Sequence, residues 1–470
     1  MNYEQIGFKC GIEIHNRLAT KHKLFCNCPA RLTDKKPTKV IQRKLRPVAG
    51  EMGRVDIAAA HEYLKDKTFS YQVFPDTSCL VECDEEPPHE INQEALEIVL
   101  QICKMLKADI LDEVHIMRKT VIDGSNTSGF QRTALVGING SLSTSLGPVT
   151  ISNICLEEES CGIVEKNDTN VTYRLDRLGI PLVEIGTGPD IKNPEHAKEV
   201  AEKLGMIVRS TGKSQRGIGV TRQDINVSVK GGKRVEIKGF QELDMIPKVI
   251  DFEIARQVEL AKKGESKEET RLAKADGSTD YMRPLPGGER MYPETDIPPI
   301  IITKDILSKI KLPETWEVKL AKLEKILPKD LANQILKSEY LEIFEKYYKT
   351  NPVLVATTFT STLKDLSRRG FEISNLTEEH FAELFEKNLP KEALISALEK
   401  LCENPDAKIE SDAISDDSLR NIVKDVILRN PELAKERKVG ALMGDVMKQV
   451  SGKADGKKVM RILQEELNKK

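Results

Sequence analysis

Up to about residue 300, apolar and polar positions alternate in short runs punctuated by glycine and proline, the two-residue period of β-strands. Phe8 through Arg17 sets the pattern. Ile12 and Ile14 fall on one face of the predicted strand, while Glu13, His15 and Arg17 fall on the other. Further on, Ile225, Val227 and Val229 alternate with Asp224, Asn226 and Ser228. Past Gly231 and Gly232, Val235 and Ile237 alternate with Glu236 and Lys238, so the two runs form a hairpin. A two-residue Gly231-Gly232 loop would set Asn226 against Ile237 and mix polar with apolar side chains. A three-residue loop sets valine against apolar partners and gathers Asp224, Asn226, Ser228, Glu236 and Lys238 on one face. One helix precedes the hairpin. Asn193 is its N-cap, Pro194 its first residue, Ala197, Val200, Ala201, Leu204 and Val208 its apolar stripe, and Gly212 its end.

From about Thr315 the period becomes helical, with segments Thr315–Ile326 and Leu331–Tyr348 and almost no glycine. Ala413–Lys470 regains glycine at Gly440, Gly444, Gly452 and Gly456. There Val459, Ile462, Leu463 and Leu467 form the apolar stripe of a closing helix. No repeat of solenoid period and no low-complexity tract occurs. The texture predicts an α+β chain, with a β-rich domain over 1–300, a helical domain over 301–412 and a small helical tail domain over 413–470.

Composition narrows the class. At about 100–200 residues per domain, 470 residues suggest two to four domains and a core that needs neither disulfide nor metal simply to fold. Hydrophobic residues are 39% and charged residues 31%, which excludes a disordered chain. Lys+Arg is 72 against 74 for Asp+Glu, a net charge of −2. That excludes a global basic field for nucleic acid but leaves room for a local patch. The tail is one candidate, since 413–470 carries 13 basic and 9 acidic residues, and Lys448, Lys453, Lys457, Lys458 and Arg461 cluster around Gly452 and Gly456. On charge alone, a solvated helical cap is the plainer reading. Met1–Gln5 lacks the features of a signal peptide, and no apolar run nears the ~20 residues of a membrane span. Nine cysteines, an odd number in a large leaderless chain, favour reduced thiols. Together these predict a cytoplasmic protein without a membrane segment.

Several groups of residues can carry chemistry. Glu13 and His15, two apart on one strand face, can reach a single cation or phosphate, although an exposed polar edge would look the same. Glu157, Glu158 and Glu159 follow an apolar run and offer further oxygen ligands, or only a solvated turn. Glu184 sits inside Pro181–Ile185, where a carboxylate among apolar residues requires a partner. Cys26 with Cys28 and Cys79 with Cys83 are two close thiol pairs that fit a tetrahedral zinc site, the alternative being free buried cysteines. Gly212-Lys213-Ser214 ends like a Walker A loop. Ile207 nevertheless stands where its first glycine belongs, and the segment follows a helix instead of a strand. Asp123 through Arg132, with Ser125, Asn126, Ser128 and Arg132, has the composition of an anion nest and equally that of a long turn. No acyl-transfer nucleophile is evident, because Cys10 and Cys161 merely adjoin glycines and G-x-S-x-G is absent.

Taken in order, Gly11–His15, His22–Pro29, Asp123–Arg132, Leu156–Glu158, Asp176–Ile185, Arg222–Ser228, Tyr292–Pro299 and the Gly440–Gly444 tail resemble the E-type subunits of the archaeal glutamyl-tRNA(Gln) amidotransferase family. These are related to the B-type subunits of the bacterial and organellar enzymes, and the resemblance covers nearly the whole chain. It implies that 1–300 is a catalytic cradle. There, ATP phosphorylates the γ-carboxylate of glutamate carried on tRNA(Gln), and ammonia then displaces phosphate. It further implies that ammonia comes from an asparaginase-like glutaminase, the D-type partner in a hetero-oligomer, consistent with the missing nucleophile. By the resemblance, Glu13, His15, Glu157 or Glu158, and Glu184 hold Mg²⁺ and phosphate. Arg222, Asp224, Asn226 and Lys238 complete the polar face, and the tail contacts the tRNA body; the anion-nest composition of their loop makes Ser125, Asn126, Ser128 and Arg132 the candidates to meet the nucleotide. The family's usual insertion, similar to part of aspartyl-tRNA synthetase, is reduced here to Ala261–Glu268 between Leu260 and Glu269. Two other classes compete with this reading: a non-catalytic tRNA-binding scaffold, and a metal-dependent phosphohydrolase using Glu13 and His15.

Overall fold

A computed structural model describes residues 2–468, apart from 51–52, 216, 218, 241, 315, 339, 350, 388, 410–415, 436 and 451–455. The chain divides into two compact units, Met1–Glu314 and Thr315–Lys470.

In the first unit, ten strands run in the order Thr279–Pro284, Glu269–Ala273, Val235–Lys238, Thr221–Ser228, Lys9–Arg17, Pro181–Thr187, Gly147–Glu158, Phe130–Thr144, Ile116–Thr120 and Met291–Pro293. A short eleventh, Asp109–Ile110, pairs with Phe130–Thr144. Neighbours along this path are antiparallel except Val235–Lys238 and Glu269–Ala273, which are parallel and therefore need the crossover helix Ile246–Lys263 between them. The expected alternation holds. Ile12, Ile14, Val183, Ile185, Ile225 and Val227 are buried in one core together with apolar residues of helices Gln93–Met105, Pro194–Ser210 and Ile246–Lys263. The opposite face keeps the polar side chains.

Local chemistry sets the boundaries. Asn193 accepts a hydrogen bond from the His196 N–H at 2.8 Å, Pro194 occupies the first helical turn, and the helix ends at Thr211 before Gly212, whose φ is +68°. In the hairpin Ile225 faces Ile237 and Val227 faces Val235, the apolar pairing expected. The connection is longer than three residues, because the strands end at Ser228 and resume at Val235. A second sheet, Lys39–Arg43, Thr68–Val73, Asn170–Arg174 and Gly162–Lys166, packs Phe69, Tyr71 and Tyr173 around Cys83 and Cys161.

The second unit is helical and has two separate cores. One gathers Phe344, Phe359, Phe381 and Phe385. The other gathers Val423, Val446, Val459, Ile462, Leu463 and Leu467 from helices Asp416–Arg429, Val439–Val450 and Gly456–Leu467, so the tail's predicted stripe is its core. Leu331–Tyr348 is not continuous. It breaks between Lys329–Leu336 and Leu341–Tyr347, where the Ser338 hydroxyl accepts from the Tyr340 N–H at 3.0 Å and competes with the helical ladder. Gly452 and Lys453 of the tail cluster lie outside the described residues, as does the Lys457 side chain. Among the described residues no helix is long and apolar enough to cross a membrane.

Candidate functional site

Strand register assembles the site. Glu13 lies opposite Asp224 and His15 opposite Arg222 on one side of the opening strand. On its other side His15 faces Glu184, and one strand further Glu184 faces Cys155. Glu13, His15, Glu184, Arg222 and Asp224, with Lys119, Glu236 and Lys238, line a cavity of about 410 Å³ on the polar face of the large sheet. His15, Glu157 and Glu184 offer ligand atoms within 4.8 Å of one another, and so do Glu13, Asp224 and Glu236.

The floor is a lattice of opposite charges. His15 Nε2 is 3.2 Å from Glu184 Oε2, and its Nδ1 is 3.9 Å from Asp224 Oδ2. The Lys119 ammonium is 2.5 Å from Glu157 and 3.5 Å from Glu184. The Lys238 ammonium is 2.5 Å from Asp224 and 3.1 Å from Glu236. Thr133 and Gln131 also donate to Glu157, at 2.6 and 3.1 Å, and Asn226 donates to Glu13 at 3.4 Å. Arg222 donates to both oxygens of Glu159, at 2.8 and 2.9 Å.

This crowding moves protonation equilibria. Burial, with Glu184 and Glu236 nearby, pushes the Glu13 carboxyl up to about 7. Burial would also raise Glu184, but Lys119 and His15 hold it well below the usual carboxylate range. Burial disfavours the imidazolium of His15, yet the Glu184 hydrogen bond and the charges of Glu184, Asp224 and Glu157 leave its pKa raised. Lys119 and Lys238 resist desolvation because the carboxylates beside them raise their pKa values. Among the described residues, five carboxylates (Glu13, Glu157, Glu184, Asp224 and Glu236) thus share two lysines and one histidine as ion-pair partners. The excess negative charge and the mostly oxygen donor set fit hard divalent cations of the Mg²⁺ kind, with Glu13, Asp224 and Glu236 as an all-oxygen trio.

Some predicted residues lie elsewhere. Glu158 is not at the cavity floor. It accepts from the Arg132 N–H at 2.9 Å and lines a separate void of about 10 Å³, room for roughly one water. The loop from Asp123 to Arg132 does not act as one nest. Ser125 lines the main cavity, whereas Asn126, Ser128 and Arg132 line the small void, and Arg132 is held by Glu294 at 2.8 Å. The division arises because Tyr71 and Tyr173 donate to the carbonyls of Gly124 and Asp123, while the Thr127 hydroxyl is drawn inward to the Glu82 carbonyl.

The thiol site also differs from expectation. Cys26, Cys28 and Cys79 converge with Glu82, not with Cys83. A single turn closed by the Cys83 N–H and the Cys79 carbonyl returns Glu82 to Cys79, whose N–H it accepts at 2.7 Å. Cys83 is sent instead into the apolar cluster of Phe69 and Tyr71. The buried Lys23 ammonium lies 3.2 Å from Glu82, and Cys26 Sγ lies 2.9 Å from it. Three sulfurs and a carboxylate are a donor set that suits zinc. Sequence reasoning missed Glu82, Lys119 and the pairing of Glu159 with Arg222. The only signal for Lys119 was its place in an alternating strand, and for Glu82 its three-residue distance from Cys79.

The family described as GatB/GatE catalytic domain matches residues 8–308, and the one described as GatB domain matches residues 339–467. The chain is similar to the E subunit of the Methanocaldococcus jannaschii glutamyl-tRNA(Gln) amidotransferase, 37% identical over an alignment of 625 positions covering 99% of each chain. It is 36% identical to the E subunit of the Methanococcus maripaludis amidotransferase over 626 positions, covering 100% of this chain and 99% of that one. The corresponding E subunit from Saccharolobus solfataricus is 34% identical over 628 positions, covering 99% of each. With 470 residues in this chain, an alignment of 626 positions leaves at least 156 without a counterpart here.

Proposed function

The chain belongs to the GatB/GatE family, and on that premise we propose that it is the component that converts glutamyl-tRNA(Gln) to glutaminyl-tRNA(Gln) within a hetero-oligomeric amidotransferase. It is thus a carbon–nitrogen ligase. A carboxylate is a poor electrophile. In the proposed reaction an oxygen of the glutamate γ-carboxylate attacks the terminal phosphorus of ATP, giving an acyl phosphate and ADP. Ammonia then bonds to the acyl carbon, phosphate leaves, and the nitrogen loses its extra proton.

Phosphoryl transfer depends mainly on positioning and on neutralising negative charge. The observation that carries the reading is a pair of ligand trios, His15–Glu157–Glu184 and Glu13–Asp224–Glu236, at one cavity, which all of these residues but the buried Glu157 line together with Lys119 and Lys238. Bound Mg²⁺ would supply charge neutralisation and orientation for the phosphates, held by these residues. Lys119 and Lys238, kept protonated by the surrounding carboxylates, add fixed positive charge at the rim of each trio. Glu159 holds the Arg222 guanidinium at the cavity wall, and Asn226 orients Glu13.

By the same reading, zinc held by Cys26, Cys28, Cys79 and Glu82 serves the fold instead of the chemistry, since none of the four lines the main cavity. In this reading the ammonia comes from an asparaginase-like glutaminase partner of the D type, the segment 413–470 binds the tRNA body, and the positions that relatives add fall between Leu260 and Glu269. In this chain that gap is only the last helical residues Ala261–Lys263, the left-handed Gly264 and four further residues before the next strand. The test is ATP turnover in the reconstituted complex. Turnover should rise with glutamyl-tRNA(Gln) and not with uncharged tRNA, and glutaminyl-tRNA should accumulate when ammonia is supplied. A scaffold would give no turnover, and a phosphohydrolase would give turnover indifferent to charging.

A further inference from the structure

The large sheet has an unusual closure. Its two edge strands, Thr279–Pro284 and Met291–Pro293, are consecutive in the chain. Only Leu285 to Arg290 joins them, seven Cα–Cα steps that reach at most about 25 Å. Ten strands laid flat at ~4.8 Å spacing would set those edges about 43 Å apart. The sheet must therefore curl until the joining segment can bridge its edges, and that segment crosses on the polar side, since Pro286 and Arg290 line the same cavity as Glu13, His15 and Glu184. Asp56 anchors the crossing by accepting from the Gly287 N–H at 2.7 Å. Arg290 ends a short 3₁₀ turn, Gly288–Arg290, and the next residue, Met291, is paired opposite Lys119.

Among the described residues four arginines line this cavity, and they divide cleanly. Arg177 is occupied by the carbonyls of Ser160 and Cys161, at 2.8 and 2.6 Å, and Arg222 by Glu159. Arg283 and Arg290 have no ion pair or side-chain hydrogen bond among the described residues, and the Arg283 Nε is buried without a partner. Arg290 nevertheless stands close to the acidic floor, for after Lys119 and His15 its charge also helps to hold the Glu184 carboxyl low. Arginines left unpaired beside an excess of carboxylates have their forks directed to something other than those carboxylates. A guanidinium matches a phosphate through two parallel hydrogen bonds.

We propose that Arg283 and Arg290, carried by the segment that closes the sheet, form a phosphate clamp facing the carboxylate floor across the cavity. The clamp receives a phosphate group that the floor's cations neutralise from the other side. This assignment rests on the phosphoryl-transfer reading of the site. The shared chemistry is a phosphate anion, and its source is either the nucleotide's polyphosphate or the terminal phosphodiesters of the tRNA. The polyphosphate is favoured because the clamp and the two ligand trios share one cavity.

Binding of ATP, tripolyphosphate and adenosine to the full chain in Mg²⁺ buffer, measured by titration calorimetry, tests the clamp alongside filter binding of tRNA. Arg290→Gln and Arg283→Gln should each weaken ATP and tripolyphosphate roughly ten- to hundredfold, the worth of one charge-assisted hydrogen bond, and leave adenosine unchanged. Arg290→Lys should recover part of the loss, because it restores charge without the fork, and an unaltered melting curve shows that each variant folds. Loss of tRNA affinity with ATP unchanged would keep the clamp and assign it to the nucleic acid. The clamp is overturned if no phosphate-bearing ligand weakens in folded Arg290→Gln and Arg283→Gln chains. If instead the parent chain binds tripolyphosphate through these arginines yet shows no tRNA-stimulated turnover, the amidation reading fails and the clamp stands.

Discussion

Replacing Glu13 by glutamine should make the magnesium-free protein more stable and inactive at once. Folding lifts the Glu13 carboxyl from 4.5 to about 7. Between those values the folded chain holds a proton that the unfolded chain has lost, so stability falls as pH rises from about 4.5 to about 7, and the penalty is complete above 7. At ~1.4 kcal/mol per pH unit the penalty is roughly 3 kcal/mol. Glutamine keeps the shape and can still accept from Asn226, whose amide lies 3.4 Å from Glu13 Oε1, but it carries no buried charge. In magnesium-free buffer at pH 8, Glu13→Gln should therefore raise the melting temperature of the full chain by on the order of 5 °C. The gain should be nearly gone at pH 4.5, where the parent carboxyl is protonated in the folded state and already half protonated in the unfolded one. Millimolar Mg²⁺ should stabilise the parent more than the variant, which keeps only the His15–Glu157–Glu184 trio intact, and tRNA-dependent ATP turnover by the variant should be lost. The assay is a melting series at pH 4.5, 6 and 8, with and without Mg²⁺ and without chelators, so that the thiol site is undisturbed. An unchanged or lower melting temperature for Glu13→Gln at pH 8 without Mg²⁺ would refute the reasoning, because Glu13 would then be no burial liability.

Two further outcomes are expected. Elemental analysis of freshly purified protein should find about one zinc per chain. Cys83→Ser should retain it and Cys79→Ser should lose it, while Glu82→Gln should bind it measurably more weakly; zinc loss in Cys83→Ser with retention in Glu82→Gln would restore the four-thiolate set. Deleting 413–470 should weaken tRNA binding and flatten its dependence on salt, because phosphate contacts release counterions, whereas equal affinity across a salt series would make the tail a cap only.

How far the sequence foretold the site depended on the range of the contact concerned. Glu13, His15, Asp224 and Asn226 were legible because alternation within a strand assigns faces, and hairpin parity follows from matching Ile225 with Ile237. The helix at Pro194 was legible because its caps are local chemistry. Lys119 was not, since nothing near it in the chain shows that its strand lies three strands from Pro181–Thr187 and brings it 3.5 Å from Glu184. Cys83 was misassigned because thiol spacing was weighed without the turn that Cys79 and Glu82 form. The loop after Asp123 had the composition of an anion nest, yet two buried tyrosines on another sheet fixed its carbonyls and divided it.

The same long-range assembly explains why the chain as a whole is nearly neutral while its cavity is not. Whole-chain charge sums over solvated faces where each ion pair contributes little, so a net charge of −2 says nothing about a floor on which five carboxylates meet two lysines. Such a floor costs folding free energy unless cations join it, and the raised Glu13 carboxyl marks where that cost concentrates. An enzyme that must gather several phosphate charges and a carboxylate at one point needs this imbalance: carboxylates to hold metal on one wall, and cations free to meet phosphate on the other. Lys119 and Lys238 are tied to the floor, so they cannot fill the second role. Arg283 and Arg290, delivered from the sheet's closing segment and left unpaired among the described residues, are the groups that can.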